Sequence, residues 1–254
     1  ATVILNDNQK RDPIDIYKLF LKKISSDNSF SISCEQTPKN IYYIKEILQF
    51  FPNAKIINMV RDQRDVLLSQ KNKWKRKFLG ASRIPFSEAL RSYINYHPII
   101  TAKIWHSSLR LTKRYEYHNR IMVVKFEKLL SDPENILKEI CRFLNVDFQQ
   151  DMLKVPLVGS STEQDSNHDF IIDKSKTQKW EQGGLSDAEI YLSQLVSNRM
   201  MSYFGYDLRH ISYPPLRTLF YLLSLPVKVI LAFLLNVKNT GNLFESIKKR
   251  FFVK

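Results

Sequence analysis

The chain has 254 residues, of which 44% are apolar, and a net charge of +14. This length and apolar content allow one substantial core, so we expect one domain with an appendage. The two cysteines, Cys34 and Cys141, lack metal-ligand spacing, which excludes a disulfide-dense secreted module and predicts buried free thiols. The positive charge predicts an anionic partner: a nucleotide, a sulfated or phosphorylated product, nucleic acid or a membrane face.

The first fifty residues carry signals for two helices and a strand. A capped helix is predicted from Asp12-Pro13 through Lys23. The alternation of apolar and polar residues over 30–34 predicts a half-buried strand. Thr37-Pro38 suits the start of a helix that runs to Phe51.

The most informative stretch runs from Lys55 to Ser69. It begins with a β-branched apolar run that ends at Val60 and then switches to charges at helical spacing, which predicts a strand, an abrupt turn and a helix. Arg61 then lies at the carboxyl end of the strand, where open α/β sheets bind ligands. Asp62 can cap the helix, and Ser69 lies on the same face. A guanidinium and a hydroxyl so placed can bind a phosphate monoester, although a solvated helix start with local ion pairs gives the same pattern.

The middle of the chain is predicted to be mostly helical as far as Tyr115. Five basic residues fall between Lys71 and Lys77. They form either a solvated helix face or a basic rim of the site that attracts an anionic acceptor. Proline cannot donate a hydrogen bond within a helix, so the helical pattern breaks at His97-Pro98. His97, His106 and His118 have no carboxylate or nucleophile at a defining spacing, and we interpret them as structural or solvated.

Two further elements have clear local signals. Residues 121–126 form a second buried-strand pattern, followed by a helix that Asp132 caps and Pro133 begins. Ser186 and Glu189 form a capping box that opens a helix to Phe204.

These elements together resemble the family of sulfotransferases that use PAPS, 3′-phosphoadenosine 5′-phosphosulfate. The family pattern resembles FPNAKII.MVRDPRDV..S, and residues 51–69 follow it with Gln63 in place of Pro. Three more blocks between residues 30 and 208 occur in the same order: Thr37-Pro38, the 121–144 segment, and a Lys-Trp…Phe-Gly-Tyr ending. The resemblance implies that Arg61 and Ser69 bind the 3′-phosphate of PAPS.

The resemblance also nominates four other residues. A basic loop before the family's Trp commonly reaches the 3′-phosphate, which makes Lys176 and Lys179 candidates, with ordinary surface lysines as the alternative. Gln36 stands where many relatives have a Lys that neutralises developing charge, and Lys39 is close enough in sequence to substitute. Glu35 is a candidate catalytic base. No metal is implied.

The implied fold is a three-layer α/β sandwich with a central parallel sheet, similar to the P-loop nucleotide kinases, with an apolar helical appendage at the C-terminus. We expect a sulfotransferase domain over 1–208 and the appendage over 209–254. The family begins with a glycine-containing phosphate loop, but the first glycine here is Gly80. We therefore expect a fragment that starts after that loop, the alternative being a degenerate relative that binds without catalysis.

The implied activity is transfer of a sulfuryl group from PAPS to a hydroxyl or amine acceptor, such as a carbohydrate or a lipid-linked glycan. One alternative is a nucleotide-dependent kinase of related fold, which would need Mg²⁺ ligands that the sequence does not identify. Another is a basic membrane-surface or nucleic-acid-binding protein without catalysis. We expect no nucleic-acid partner.

The C-terminal segment combines apolar and basic residues. Residues 219–237 are almost wholly apolar but contain Pro226 and Lys228, and a charge at that depth in a spanning helix is costly. Eight basic residues and one acidic residue lie between Arg209 and Lys254. We predict that 213–254 associates with an anionic membrane surface as an interfacial, re-entrant or hairpin-like segment of a cytoplasmic protein. The alternative is a hydrophobic helix packed on a partner or on the main domain.

Overall fold

The structure is a computed structural model, and it describes residues 12–79, 83–154, 172, 176–212 and 214–236. The contacts divide the chain into two compact units, with the boundary between Ala54 and Lys55. Of the segment predicted to associate with a membrane, 213–254, residue 213 and residues 237–254 lie outside the described residues.

The first unit is helical. Helix α1 spans Pro13–Asp27, and the Asp12 carboxylate caps it by accepting from the backbone N–H of Ile14 at 2.8 Å. A 3-10 helix, Pro38–Tyr43, leads into α2, Ile44–Phe50, as Thr37-Pro38 predicts.

The strand predicted over 30–34 is wrong. Residues 30–36 have no regular structure, and the side chains of Phe30 and Ile32 are exposed. Cys34, predicted to be buried, is also exposed, whereas Cys141 is buried as expected. Alternation alone does not make a strand, because a strand is stabilised by ladder hydrogen bonds and by side chains packed on a neighbouring strand.

The second unit contains a parallel pair of strands, as predicted. Strand β1 is Ile56–Val60 and β2 is Ile121–Lys125, with Ile56 opposite Ile121 and Val60 opposite Lys125. Since parallel strands end at the same edge, the residues that follow β1 and β2 lie next to each other. That edge carries the candidate site.

Helices make up most of the described part of the second unit. The predicted break at His97-Pro98 is confirmed, because Pro98 occupies the first turn of a new helix. The capping box of Ser186 and Glu189 is also present. The helices in chain order are α3 Gln63–Asn72, α4 Phe86–Asn95, α5 Pro98–Tyr115, α6 Phe126–Ser131, α7 Pro133–Leu144, α8 Asp187–Tyr203 and α9 Arg217–Asn236, with 3-10 helices at Lys73–Phe78, Gln150–Leu153 and Lys179–Gln182.

The core of this unit forms where α5 and α8 pack together at the end of β1. One cluster joins Val60 of β1 to Trp105 of α5 and to Met201 of α8, all buried. A second cluster joins Leu68 of α3 to Trp180 and Ile190. Both clusters flank the turn that follows β1, so burial of these side chains fixes that turn. The parallel sheet, the surrounding helices and the apolar C-terminal helix confirm the predicted α/β class.

Candidate functional site

The turn after β1 is held by side chains that are distant in sequence. The indole N–H of Trp105 donates to the backbone carbonyl of Arg61 at 3.0 Å. The backbone N–H of Asp62 donates to Glu127 Oε1 at 2.8 Å, and the hydroxyl of Tyr206 donates to Glu127 Oε2 at 3.0 Å. Glu127 therefore joins the β1 turn to the chain after α8. Burial, together with the negative charge of Glu127, raises the pKa of Tyr206 and keeps its hydroxyl protonated as a donor.

Arg64 is a structural arginine. Asp62 Oδ1 caps α3 by accepting from the backbone N–H of Arg64 at 2.7 Å, which confirms the predicted cap. The same carboxylate accepts from Arg64 Nε at 3.0 Å and from Nη2 at 2.7 Å, and the guanidinium stacks on the Trp180 ring at 3.9 Å. Both charged groups are buried and neutralise each other, so this pair stabilises the turn and has little charge left for a ligand.

Arg61 differs from Arg64 in having a guanidinium that is only partly used. Its Nη2 donates to the backbone carbonyl of Lys176 at 2.8 Å and lies 3.7 Å from Asp65 Oδ2, and the group lies over the Phe126 ring at 4.5 Å. Its side chain is 27% exposed. Among the described residues, none accepts a hydrogen bond from its buried Nε. A cation with an unused buried donor and an open side suits an anionic ligand.

Asp65 attaches a distant segment to this arginine. Its carboxylate is fully buried and accepts from the backbone N–H groups of Gln178 at 2.9 Å and Trp180 at 3.1 Å. Burial raises the pKa of Asp65, while these two N–H donors and the charge of Arg61 act in the opposite direction. The segment from Lys176 to Trp180 is thereby fixed beside the end of β1.

The structure brings together two parts of the predicted phosphate site. Arg61 and the backbone of Lys176 are in direct contact. Lys179 begins the 3-10 helix next to them and is half-buried, and Ser69 is a half-buried residue of α3 one turn beyond Asp65. The candidates Glu35 and Lys39 belong to the first unit, where both are exposed and Glu35 accepts a hydrogen bond from the Asn40 amide.

Three of the residues that build the site were not assigned these roles from sequence. Trp105 contacts Arg61 across 44 positions of the sequence, and Glu127 contacts Asp62 across 65 positions. A local sequence pattern does not predict contacts at such separations. Glu127 had one available signal, since an acidic residue just after β2 must lie near the residue just after β1 in a parallel pair. For Asp65, the sequence predicts only an acidic residue in the first turn of a helix.

Within the described ranges, no group of three or more His, Cys, Asp or Glu side chains could hold a metal ion.

A family model described as "Sulfotransferase family" matches residues 11–150, which is more than half of the chain. The chain belongs to the sulfotransferase family. The match covers β1, the Arg61 turn, α3 and β2, and so includes most of the residues that build the site. Sulfuryl transfer is therefore the activity that the family supports.

Two solved structures are similar to this chain. A sulfotransferase domain from the curacin biosynthetic pathway has 19% identity and a TM-score of 0.51, over 76% of this chain and 69% of that one. A sulfotransferase domain from the Synechococcus PCC 7002 olefin synthase has 24% identity and a TM-score of 0.49, over 77% of this chain and 65% of that one. The first of these shows a shared fold. No curated protein matches the sequence.

Proposed function

We propose that this protein transfers a sulfuryl group from PAPS to a hydroxyl or amine acceptor, with Arg61 binding the 3′-phosphate of the donor. The observation that carries the proposal is the state of the Arg61 guanidinium, which lies at the carboxyl end of β1 with an Nε donor that no described residue uses. Trp105 and Glu127 hold the turn that carries Arg61. The carboxylates of Asp62 and Glu127 do not neutralise the guanidinium, because Asp62 pairs with Arg64 and Glu127 accepts from the turn N–H and from Tyr206.

Other residues of the site would assist Arg61. Ser69 would add a hydroxyl donor to the same phosphate, and Lys176 and Lys179 would supply charge from the segment that Asp65 holds. PAPS supplies the sulfuryl group when bound. The chain's part is to hold the donor in line with the acceptor and to neutralise charge that develops on the leaving phosphate. Glu35 and Lys39 remain proposals for the base and for charge neutralisation.

The proposal is tested by the contribution of the 3′-phosphate to binding. Calorimetric titration with 3′-phosphoadenosine 5′-phosphate and with AMP isolates that group, since the two nucleotides differ only there. Arg61→Ala should weaken binding of the bisphosphate by about 2–4 kcal/mol, roughly 30- to 700-fold, and leave AMP binding nearly unchanged. Ser69→Ala should cost about 1–2 kcal/mol. Arg110→Ala, an exposed arginine of α5, is the matched control and should change neither titration.

Three results would contradict the proposal. Equal affinity for the bisphosphate and for AMP would remove the phosphate role of Arg61. Binding of ADP as tight as that of the bisphosphate would favour a nucleotide-dependent kinase, and binding of neither would favour a basic protein without catalysis.

We propose that the acceptor is a hydroxyl of a carbohydrate or lipid-linked glycan, which the range of the family and the exposed apolar helix α9 support. We further propose that residues 1–208 form the transfer domain and 209–254 an appendage. Incubation with labelled PAPS and purified lipid-linked or free oligosaccharides would test the acceptor, and failure of both classes to take up label would refute it.

A further inference from the structure

Helix α9 places its polar side chains towards the protein. Tyr221, Lys228 and Asn236 lie seven and eight positions apart and therefore share a face. The Tyr221 carbonyl is 3.0 Å from His97 Nε2, Lys228 Nζ donates to the Ile94 carbonyl at 3.3 Å, and the Asn236 amide donates to Asn95 at 3.1 Å. These contacts hold the helix along its whole length against α4 and the start of α5.

The opposite face of α9 is apolar and exposed. Six residues on it are between 57% and 69% exposed, at a spacing that repeats every three or four positions. They are Leu219, Phe220, Leu223, Val227, Ile230 and Leu234. We call this set the outward face. A soluble helix normally buries its apolar stripe, so α9 has the opposite polarity to an ordinary surface helix.

By length and composition α9 could cross a membrane, and only 6% of its apolar window is buried, which distinguishes it from a core helix. Crossing would require the helix to leave α4 and would move Lys228 into hydrocarbon. In the structure Lys228 is turned inward, with its ammonium 5.4 Å above the Tyr93 ring and donating to Ile94. The outward face therefore contains no charge while the helix stays attached.

The charges around α9 favour one kind of surface. Arg217 at its first turn is exposed, and the helix contains no acidic residue. The 3-10 helix Lys73–Phe78, which packs on α4, exposes Lys73 and Lys75. The sequence after Asn236 adds five basic residues and one acidic residue. A wholly apolar face on a helix that begins with an exposed arginine and continues in sequence into a basic segment complements an anionic lipid surface, where lysine and arginine side chains attract headgroups and apolar side chains enter the acyl boundary.

We propose that the outward face of α9 is a membrane-docking surface that lies flat in the interfacial region of an anionic bilayer, with the polar face remaining on α4 and α5. The proposal does not depend on the donor site. It assigns a structural reason to Pro226 and Lys228. Pro226 leaves one helix carbonyl without its usual partner, which an interface with access to water tolerates better than a bilayer centre.

The test uses the intact protein and phosphatidylcholine vesicles with and without about 30% phosphatidylserine. The protein should co-sediment with the anionic vesicles, and the double variant Phe220→Glu/Leu223→Glu should lower its partition coefficient about tenfold or more. Both positions are 69% exposed, so the fold should be unaffected, which thermal melts would check. Leu195→Glu is the matched control, since Leu195 is an apolar residue of α8 that is 62% exposed, and it should bind as the unmodified protein does.

Depth separates an interfacial helix from a spanning one. With Leu223→Trp, lipids brominated near the headgroup should quench the added fluorescence more than lipids brominated near the chain ends. Absence of vesicle binding, equal loss in Leu195→Glu, or strongest quenching at the chain ends would overturn the proposal. A dimer in sedimentation velocity that only the double variant disrupts would also overturn it, because a second copy would then cover the outward face.

Discussion

Replacing Glu189 by Gln should destabilise the second unit strongly. The Glu189 carboxylate is fully buried and accepts from Lys71 Nζ at 2.8 Å, the Tyr96 hydroxyl at 2.5 Å, and the backbone N–H and hydroxyl of Ser186 at 2.8 and 2.9 Å. It thus joins α3, α4 and the start of α8. A glutamine amide oxygen could still accept from Lys71 and Ser186, but the amide carries no negative charge, so each of these bonds loses its charge assistance and the Tyr96 hydroxyl must turn from donor to acceptor.

The Lys71 side chain is 34% exposed, so water can solvate its charge when the carboxylate is lost. The lost charge-assisted hydrogen bonds should cost about 1.5–3 kcal/mol, which for a chain of this size is a fall in melting temperature of roughly 3–12 °C. Urea unfolding followed by tryptophan fluorescence would measure it. Glu134→Gln is the control, because Glu134 pairs with Lys138 at 2.6 Å on an exposed helix surface and should cost about 0.5 kcal/mol or less. A loss below about 1 kcal/mol for Glu189→Gln would refute the account of the network.

The same substitution predicts a pH dependence. Burial tends to raise the pKa of Glu189, but the hydrogen bonds from Lys71, Ser186 and Tyr96 outweigh burial and lower it from the ordinary 4.5. A lowered folded pKa contributes stability that is present above 4.5 and is lost as the pH falls through the folded pKa. The stability difference between the unmodified protein and Glu189→Gln should therefore be constant near neutral pH and shrink below that value. A difference that grows on acidification would show that the carboxylate is protonated in the fold.

Two further substitutions test the turn after β1. Asp65→Ala frees the N–H groups of Gln178 and Trp180, so it should weaken binding of 3′-phosphoadenosine 5′-phosphate about tenfold in calorimetry while AMP binding changes little. The control Asp187→Ala, at an exposed position, should change neither affinity. An unchanged bisphosphate affinity in Asp65→Ala would leave Asp65 with a structural role only. Gln63→Pro should raise the free energy of unfolding by about 1 kcal/mol in urea titration. Within the described chain both amide atoms of the fully buried Gln63 side chain lack partners, and Asp62, with ψ 129°, already has the backbone conformation that precedes proline. A free energy of unfolding lowered by about 1 kcal/mol or more would contradict this prediction.

Sequence predicted the parts of the fold that depend on local chemistry. Strand β1, the Asp62 cap, the Pro98 helix start and the Ser186 capping box each depend on residues within four positions of one another, and each is confirmed. The 30–34 strand was wrong because its pattern is equally local but its stability would have had to come from a neighbouring strand.

The candidate site was only partly predictable for the same reason. Arg61 and Ser69 follow from motif spacing, but what holds the Arg61 turn comes from three other elements: Trp105 on α5, Glu127 after β2, and Tyr206 after α8. A single sequence does not show which acidic residue will accept from which donor when the two are tens of positions apart. In this chain, the parallel register of β1 and β2 decides it for Glu127.

The spacing of Arg61 and Arg64 does not predict which of them is structural and which is available to a ligand. They are the same residue type three positions apart, and both could pair with either Asp62 or Asp65. The helix cap decides the outcome. Once Asp62 caps α3 and points towards its first turn, its second oxygen can reach Arg64 and form a two-pronged pair, which Trp180 covers.

Asp65 lies 3.7 Å from the Arg61 guanidinium, but its carboxylate already accepts from the N–H groups of Gln178 and Trp180. Arg61 consequently keeps a charge that no neighbour within the described residues fully pairs, at the edge of the sheet where ligands bind. Arg64 therefore has a structural role, and Arg61 remains available to an anion. Asp62 and Asp65 determine which arginine takes which role.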